Sequence, residues 1–148
     1  MATGVPFYAF TTEMAAGTHA NFLNADSHTV KVALFDDAPV QATDTVIGDQ
    51  SSEANGGATS NGYTAGGDDV TNAASTAAGV ITVDSSGGGI VWTATGDWSS
   101  DFQYAVMYND DATDKLIAYW DYASHISLLN TETFSFVVTD SFLTIGPA

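Results

Sequence analysis

The clearest group of residues that can do chemistry is a short acidic stretch. Asn109, Asp110, Asp111 and Asp114 stand close together in the chain. Carboxylate and amide oxygens are ligands that Ca²⁺ accepts, but the ligand order and central glycine of an EF-hand are missing. A solvated, Asp-rich turn explains the same residues without a metal and is favoured. Asp110, Asp111 and Asp114 are therefore the candidate calcium ligands, and no other cofactor is expected.

The three histidines do not suggest a zinc site. His19, His28 and His125 lie far apart, none belongs to a His-x-x-x-His pair, and the chain contains no Cys. A zinc site needs three or four His, Cys or carboxylate ligands at close range. We expect these histidines to lie at the surface or at strand edges.

Catalytic groups are no better defined. Two carboxylates can hydrolyse a glycosidic bond, but eighteen acidic residues will form such pairs by chance. Ser, His and Asp are all present, yet the Gly-x-Ser-x-Gly turn that presents a nucleophilic serine is not. The sequence predicts a protein that is not an enzyme.

Aromatic residues suggest a different kind of site, a carbohydrate-binding face. Such a face needs exposed aromatic platforms, and five residues are of the right type: Trp92, Trp98, Tyr104, Tyr119 and Trp120. Packing in a hydrophobic core is the explanation favoured for them. A carbohydrate-binding β module therefore remains an alternative function.

Net charge restricts the partners. The 148 residues include fifteen Asp and three Glu but only two basic side chains, Lys31 and Lys115, for a formal charge of -16. Two lysines cannot neutralise a phosphate backbone, so nucleic acid and anionic membranes are not expected partners. Asp is depleted in strands and common in turns. We therefore expect acidic loops around a sheet.

The elements that hold these loops are predicted to be strands, because short apolar runs recur between turn signals. The predicted strands are 29–35, 78–83, 90–95, 102–108, 115–121, 133–138 and 142–145. Six to eight short strands without a long helix predict an all-β fold, either an antiparallel β-sandwich or a jelly-roll-like barrel.

The turns predict how some of these strands pair. A Ser/Gly-rich turn predicts a hairpin of 78–83 with 90–95, and the acidic stretch predicts a second hairpin of 102–108 with 115–121. Residues 40–50 are expected to hold a short helix at most. The glycine-rich residues 51–68 are predicted to form a loop.

Residues 1–27 lack this strand pattern. Phe7, Phe10 and Phe22 stand there among small and polar neighbours, and one helical turn is predicted near Thr12. We expect an irregular N-terminal arm at 1–27, which packs its aromatic residues on the body or on a neighbouring subunit. A single β domain follows at 28–148.

Four segments in order resemble a known group of proteins. They are 30–35 (VKVALF), 62–67 (GYTAGG), 104–110 (YAVMYND) and 116–121 (LIAYWD). Within 28–122 the chain resembles the small virion structural proteins of tailed viruses, which include capsid decoration (cement) proteins. It departs from that family after Asp121, where an aromatic residue followed by glycine is expected but Tyr122 is followed by Ala123.

The resemblance implies a structural role without catalytic residues. It implies a capsid decoration protein on the outer surface of the virion, bound to the major capsid protein and to further copies of itself as a homotrimer or homodimer. A tail or adhesion component of the virion is an alternative. The candidate partner contacts are Phe7, Tyr8, Phe10, Phe22 and Tyr63, for which packing in the chain's own core is the competing explanation.

Overall fold

A computed structural model describes residues 4–19, 29–70, 72–77, 80–85, 89–137 and 143–145. Its strands are β1 (Val5–Pro6), β2 (Val30–Phe35), β3 (Asp68–Val70), β4 (Asn72–Ala77), β5 (Val80–Ser85), β6 (Ile90–Thr93), β7 (Phe102–Asn109), β8 (Lys115–Ile126), β9 (Thr133–Phe136) and β10 (Leu143–Ile145). Helix α1 spans Tyr8–Ala15, and three short 3₁₀ helices span Ile47–Asp49, Ala54–Gly57 and Asp110–Ala112. All strand pairs are antiparallel, so the predicted all-β class is confirmed.

The largest sheet has five strands in the order β1-β8-β7-β2-β3. β7 and β8 form the predicted hairpin, and β2 pairs with β7 along its whole length, from Val30 opposite Asn109 to Phe35 opposite Tyr104. Residues 105–109 of β7 are all buried. A strand with both faces covered has continuous apolar residues rather than alternating ones, which explains the pattern of β7.

The other predicted hairpin is wrong. β6 pairs with β9, while β5 pairs with β4 and β10 in a separate three-stranded sheet. Trp92 of β6 lies opposite Phe134 of β9, and their rings stack with centroids 5.9 Å apart. This aromatic pair lies far apart in sequence, so the local turn signal did not reveal it. β4 was not predicted because Ala and Asn have low strand propensity.

Side chains from β8 pack against two different layers. Trp120 packs edge-on against Phe136 of the β6–β9 sheet, with ring centroids 4.9 Å apart. Tyr119 packs against Phe7, which immediately precedes α1, at 5.3 Å. Successive strand residues point to opposite faces, so β8 joins a sandwich core on one side to a core beneath α1 on the other.

The N-terminal segment belongs to this core. β1 pairs with β8, and Phe7 and Phe10 are both buried, which confirms that these aromatics pack on the body. The segment is more regular than the sequence indicated, because residues 5–15 form a strand and a helix. The predicted boundary between 27 and 28 lies outside the described residues.

Helix α1 ends in a Schellman-type turn, which the sequence marks with a glycine. Gly17 has a φ of +79° and donates its N–H to Met14 O, while Thr18 donates to Glu13 O. Glycine adopts this left-handed conformation without steric cost. His19 stands at the end of this turn, four residues after the last residue of α1.

The glycine-rich loop is held in place by Tyr63, as its position as the one aromatic anchor suggested. The Tyr63 hydroxyl donates to Glu53 Oε1 at 2.8 Å and accepts the Leu34 N–H at 3.2 Å. Glu53 Oε1 also accepts the Gly66 N–H at 2.6 Å. Burial raises the pKa of the Tyr63 hydroxyl far above its usual value, so it remains a neutral donor.

Gly67 lets this loop approach β2 closely. It has a φ of +79°, and a Cβ there would lie 1.9 Å from Val32 O. We predict that Gly67→Ala lowers the free energy of unfolding by at least about 3 kcal/mol, through backbone strain and overpacking. Gly48→Ala, with nothing within 4 Å of its Cβ, should change it by less than about 1 kcal/mol. Urea unfolding measures both, and equal effects would contradict the assigned packing.

β8 bulges directly after Asp121. Between the pairs Tyr104–Asp121 and Phe102–Ile126, residues 122–125 face the single residue 103. Ala123 has a φ of +59° and donates its N–H to Asp121 Oδ1 at 2.7 Å. A left-handed conformation costs a residue other than glycine roughly 1–2 kcal/mol.

We predict that Ala123→Gly raises the free energy of unfolding by about 0.5–1 kcal/mol, because the lost strain exceeds the added chain entropy of glycine. Ala58→Gly is the matched control, since Ala58 is exposed and has a φ of -95°. For Ala58→Gly we expect the free energy of unfolding to fall by about 0.5–1 kcal/mol. Thermal and urea unfolding measure both variants and show whether each is stabilised or destabilised. If Ala123→Gly is destabilised, the backbone of Ala123 is not strained as proposed.

Candidate interaction surface

Four large hydrophobic side chains are exposed among the described residues. They are Tyr8 (61%), Val40 (53%), Val91 (58%) and Leu129 (55%). Tyr8 and Val40 come from segments that contact each other, since the Tyr8 N–H donates to the carbonyl of Gln41 at 3.2 Å. Together with half-buried Tyr119 they define the Tyr8–Val40 surface.

The backbone holds Tyr8 outward. Phe7 and Phe10, three residues apart, point to the core, so Tyr8 lies on the other side of this turn. Gln41 Nε2 donates to the Pro6 carbonyl at 2.7 Å, and Pro6 has no N–H to offer. The edge of β1 is therefore closed to another strand, and the surface presents side chains instead.

Carboxylates flank the surface. Asp44 accepts the Val40 N–H at 2.7 Å. Burial raises the pKa of the Tyr119 hydroxyl, and the nearby Asp121 carboxylate and Tyr8 hydroxyl raise it further. Asp121 follows Tyr119 by two residues in the continuous register of β8, so the two side chains lie on the same face of the sheet. The apolar surface therefore has an acidic rim.

A polar cluster ties α1 to the central hairpin. Glu13 Oε1 lies 2.9 Å from Lys115 Nζ, and Glu13 Oε2 lies 3.2 Å from His19 Nε2. His19 Nδ1 in turn lies 3.3 Å from Asn109 Nδ2. Glu13 thus joins the helix to β8 directly and to β7 through His19. We call these four residues the Glu13 cluster.

The histidine prediction is wrong at one position. His19 is buried rather than exposed, because its two ring nitrogens have partners that make burial of a polar ring tolerable. His125 is exposed as expected and hydrogen-bonds with Asp36. His28 lies outside the described residues.

The predicted partner contacts divide in two. Phe7, Phe10 and Tyr63 are 0%, 1% and 2% exposed, so their predicted contact with another subunit is wrong in this fold, and their alternative as core residues is the correct one. These rings are buried because removing large apolar side chains from water into the chain's own core is energetically favourable. Tyr8 is exposed, and Phe22 lies outside the described residues.

Val40 was missed by the sequence analysis. It stands between Pro39 and Gln41 with no periodic apolar neighbours, so no pattern distinguishes it from any other loop valine. The hydrogen bonds of its neighbour Gln41 to Pro6 and Tyr8 bring the Val40 segment next to the segment that carries Tyr8.

The candidate calcium ligands have other partners. Asp110 pairs with Lys31 Nζ at 2.9 Å, and Asp111 Oδ2 accepts the Thr29 N–H. Burial and a hydrogen bond with Asp110 raise the pKa of the Asp114 carboxyl. Within the described ranges, no three His, Asp or Glu side chains are grouped so that they can hold a metal ion.

The candidate sugar platforms are mostly buried. Trp92, Trp98 and Trp120 all lie in the core, which confirms the favoured explanation for them. Tyr104 and Tyr119 remain partly exposed. The tryptophans therefore do not supply a carbohydrate-binding face.

A polar pocket of about 410 Å³ lies elsewhere on the molecule. Its lining residues are Asp36, Ser52, Glu53, Gly56, Gly57 and Ser100. The two carboxylates already have partners, Asp36 in His125 and Glu53 in Tyr63. None of the lining residues is aromatic, so the pocket lacks a sugar platform.

In comparisons with known proteins, no family model, no curated protein and no solved structure matches the chain. Within the described residues, no helix is long and apolar enough to cross a membrane.

The Glu13 cluster can be tested by stability. We predict that Glu13→Gln lowers the free energy of unfolding by about 1–3 kcal/mol, because the neutral amide offers an acceptor oxygen to only one of Lys115 and buried His19. Asp110→Asn is the control, because the more exposed Lys31–Asp110 pair should contribute about 0–1 kcal/mol. Urea unfolding compares them. A smaller loss for Glu13→Gln than for Asp110→Asn would contradict the role of the cluster.

Proposed function

We propose that this chain is a structural virion protein, a capsid decoration protein that binds the major capsid protein lattice of a tailed virus from outside. The observation that carries the proposal is a well-packed β body that presents the exposed Tyr8–Val40 surface. Binding by contact between preformed surfaces needs no chemical step, which agrees with the absence of an evident catalytic group in the sequence.

The segments that resemble the virion family support this identity, because they are neighbours in space. β2 pairs with β7 and β7 with β8, so three of the four segments form the centre of one sheet. The fourth, 62–67, is attached to that sheet by Tyr63 and by the Tyr108 hydroxyl, which donates to Gly66 O at 2.7 Å. The resemblance thus concerns one contiguous packing unit.

The packing of the sheet supports a load-carrying role. Residues 105–109 of β7 and 116–118 of β8 are buried. The long loop is joined to β2 by the buried hydrogen bond from the Leu34 N–H to the Tyr63 hydroxyl, and the helix is joined to β8 by the ion pair of Glu13 with Lys115. A preorganised surface loses little conformational entropy when it binds. Self-association as a homotrimer or homodimer is part of the proposal, since capsid lattices present repeated sites.

A tail or adhesion component of the virion is the second candidate, because the same surface would serve there. The two candidates differ in the position of the chain in the particle. The carbohydrate-binding alternative is not favoured, since three of its five candidate platforms, the tryptophans, are core residues.

We predict that the purified chain cosediments with empty heads assembled from the major capsid protein of the same viral genome. Binding should saturate at a fixed ratio to capsid protein and raise the melting temperature of the shell, because a ligand stabilises the state that it binds. Heads already saturated with unlabelled chain are the control and should take up no labelled chain. Absence of cosedimentation would contradict the proposal. So would an electron-microscopy reconstruction of the virion that locates this chain only on the tail.

A further inference from the structure

We propose that the Tyr8–Val40 surface is the face that docks on the capsid lattice, and that the partner surface there is apolar at its centre and lined with Lys or Arg. The inference rests on the proposed function and goes beyond it by assigning the face and the chemistry of the partner. It excludes a second copy of this chain from the same face.

The first argument concerns the apolar centre. Tyr is enriched among the residues that dominate binding energy at protein interfaces, and it offers a large contact area for few rotatable bonds. Tyr8 follows buried Phe7 directly, and its N–H is hydrogen-bonded to Gln41. Its backbone is therefore ordered before binding, so little conformational entropy remains to be lost there.

The second argument concerns charge. Asp44 accepts the Val40 N–H, and Asp121 lies on the same face of β8 as Tyr119, two residues further along the strand, so the rim of the surface is acidic. The chain has only two lysines, and each is 2.9 Å from a carboxylate of its own chain. This protein therefore has few cations with which to meet an acidic rim.

A second copy is a poor occupant for this reason. A two-fold contact brings the same patch of both subunits together, so the carboxylates of one rim would face those of the other. Like charges placed together at an interface cost several kcal/mol. A partner with Lys or Arg around an apolar centre gains from the same carboxylates, and charge complementarity of this kind also accelerates association.

The chain supplies a matched control for the apolar part. Val91 on β6 and Leu129 in the loop before β9 are as exposed as Val40 and Tyr8. We compare Tyr8→Ser/Val40→Ser with Val91→Ser/Leu129→Ser in binding to the empty heads described above. The first variant should raise Kd about tenfold or more, as expected for loss of a central anchor. The second should change Kd less than about twofold. Far-ultraviolet circular dichroism and urea unfolding verify that both variants fold.

A pair of substitutions at one exposed position tests the charge. Val40→Lys places a cation in the acidic rim and should weaken binding to a basic partner more than Val40→Glu does. Binding of the unaltered chain should also weaken as NaCl rises from about 0.05 to 0.5 M, because salt screens the attraction. These single changes at an exposed residue remain informative if the double variant fails to fold.

The outcomes separate the two proposals. If the unaltered chain does not bind heads, the proposed function fails and the inference fails with it. If it binds but the Tyr8→Ser/Val40→Ser variant binds equally well, or only the Val91→Ser/Leu129→Ser variant is weakened, the assigned face alone is wrong. If Val40→Lys binds more tightly than Val40→Glu, the basic partner is wrong. If sedimentation shows that Tyr8→Ser/Val40→Ser abolishes self-association instead, a second copy occupies the face.

Discussion

The constraint on which the structure depends is that the central part of the β7–β8 hairpin, residues 105–109 and 116–118, must be buried on both faces. β7 and β8 form the middle of the five-stranded sheet, with Trp120 against one layer and Tyr119 against the other. Burying one large apolar side chain contributes roughly 1.5–3 kcal/mol, and this packing must also offset the repulsion of a chain with a formal charge of -16. The helix and the long loop are ordered because they complete these layers.

Polar groups inside the fold follow a common scheme, in which one carboxylate serves several donors. Glu53 accepts from Tyr63 and Gly66, and Glu13 contacts both Lys115 and His19. A buried or half-buried carboxylate is tolerated when its oxygens are hydrogen-bonded. Because the chain has only two basic side chains, neutral donors such as the Tyr63 hydroxyl and the Gly66 N–H supply hydrogen bonds to these carboxylates.

Edges of the sheet are closed against other strands by different means. Pro6 and Gln41 close the β1 edge, the bulge at 122–125 distorts the exposed end of β8, and Asp68 and Asp69 put charge on β3. These are known ways in which native sheets avoid edge-to-edge pairing. Association through side chains, such as those of the Tyr8–Val40 surface, is thus favoured over strand addition.

The sequence by itself determined the all-β class, the hairpin of β7 and β8, the turn anchored by Tyr63 and the positions of most strands, because these follow from local periodicity and turn chemistry. It did not determine that β6 pairs with β9, that Phe7 and Phe10 fill the core, or that Val40 lies beside Tyr8. Each of these depends on contacts between segments far apart in the chain. An aromatic residue has the same local pattern whether it is covered by its own chain or by a partner, so only the tertiary structure decided which ones remain exposed.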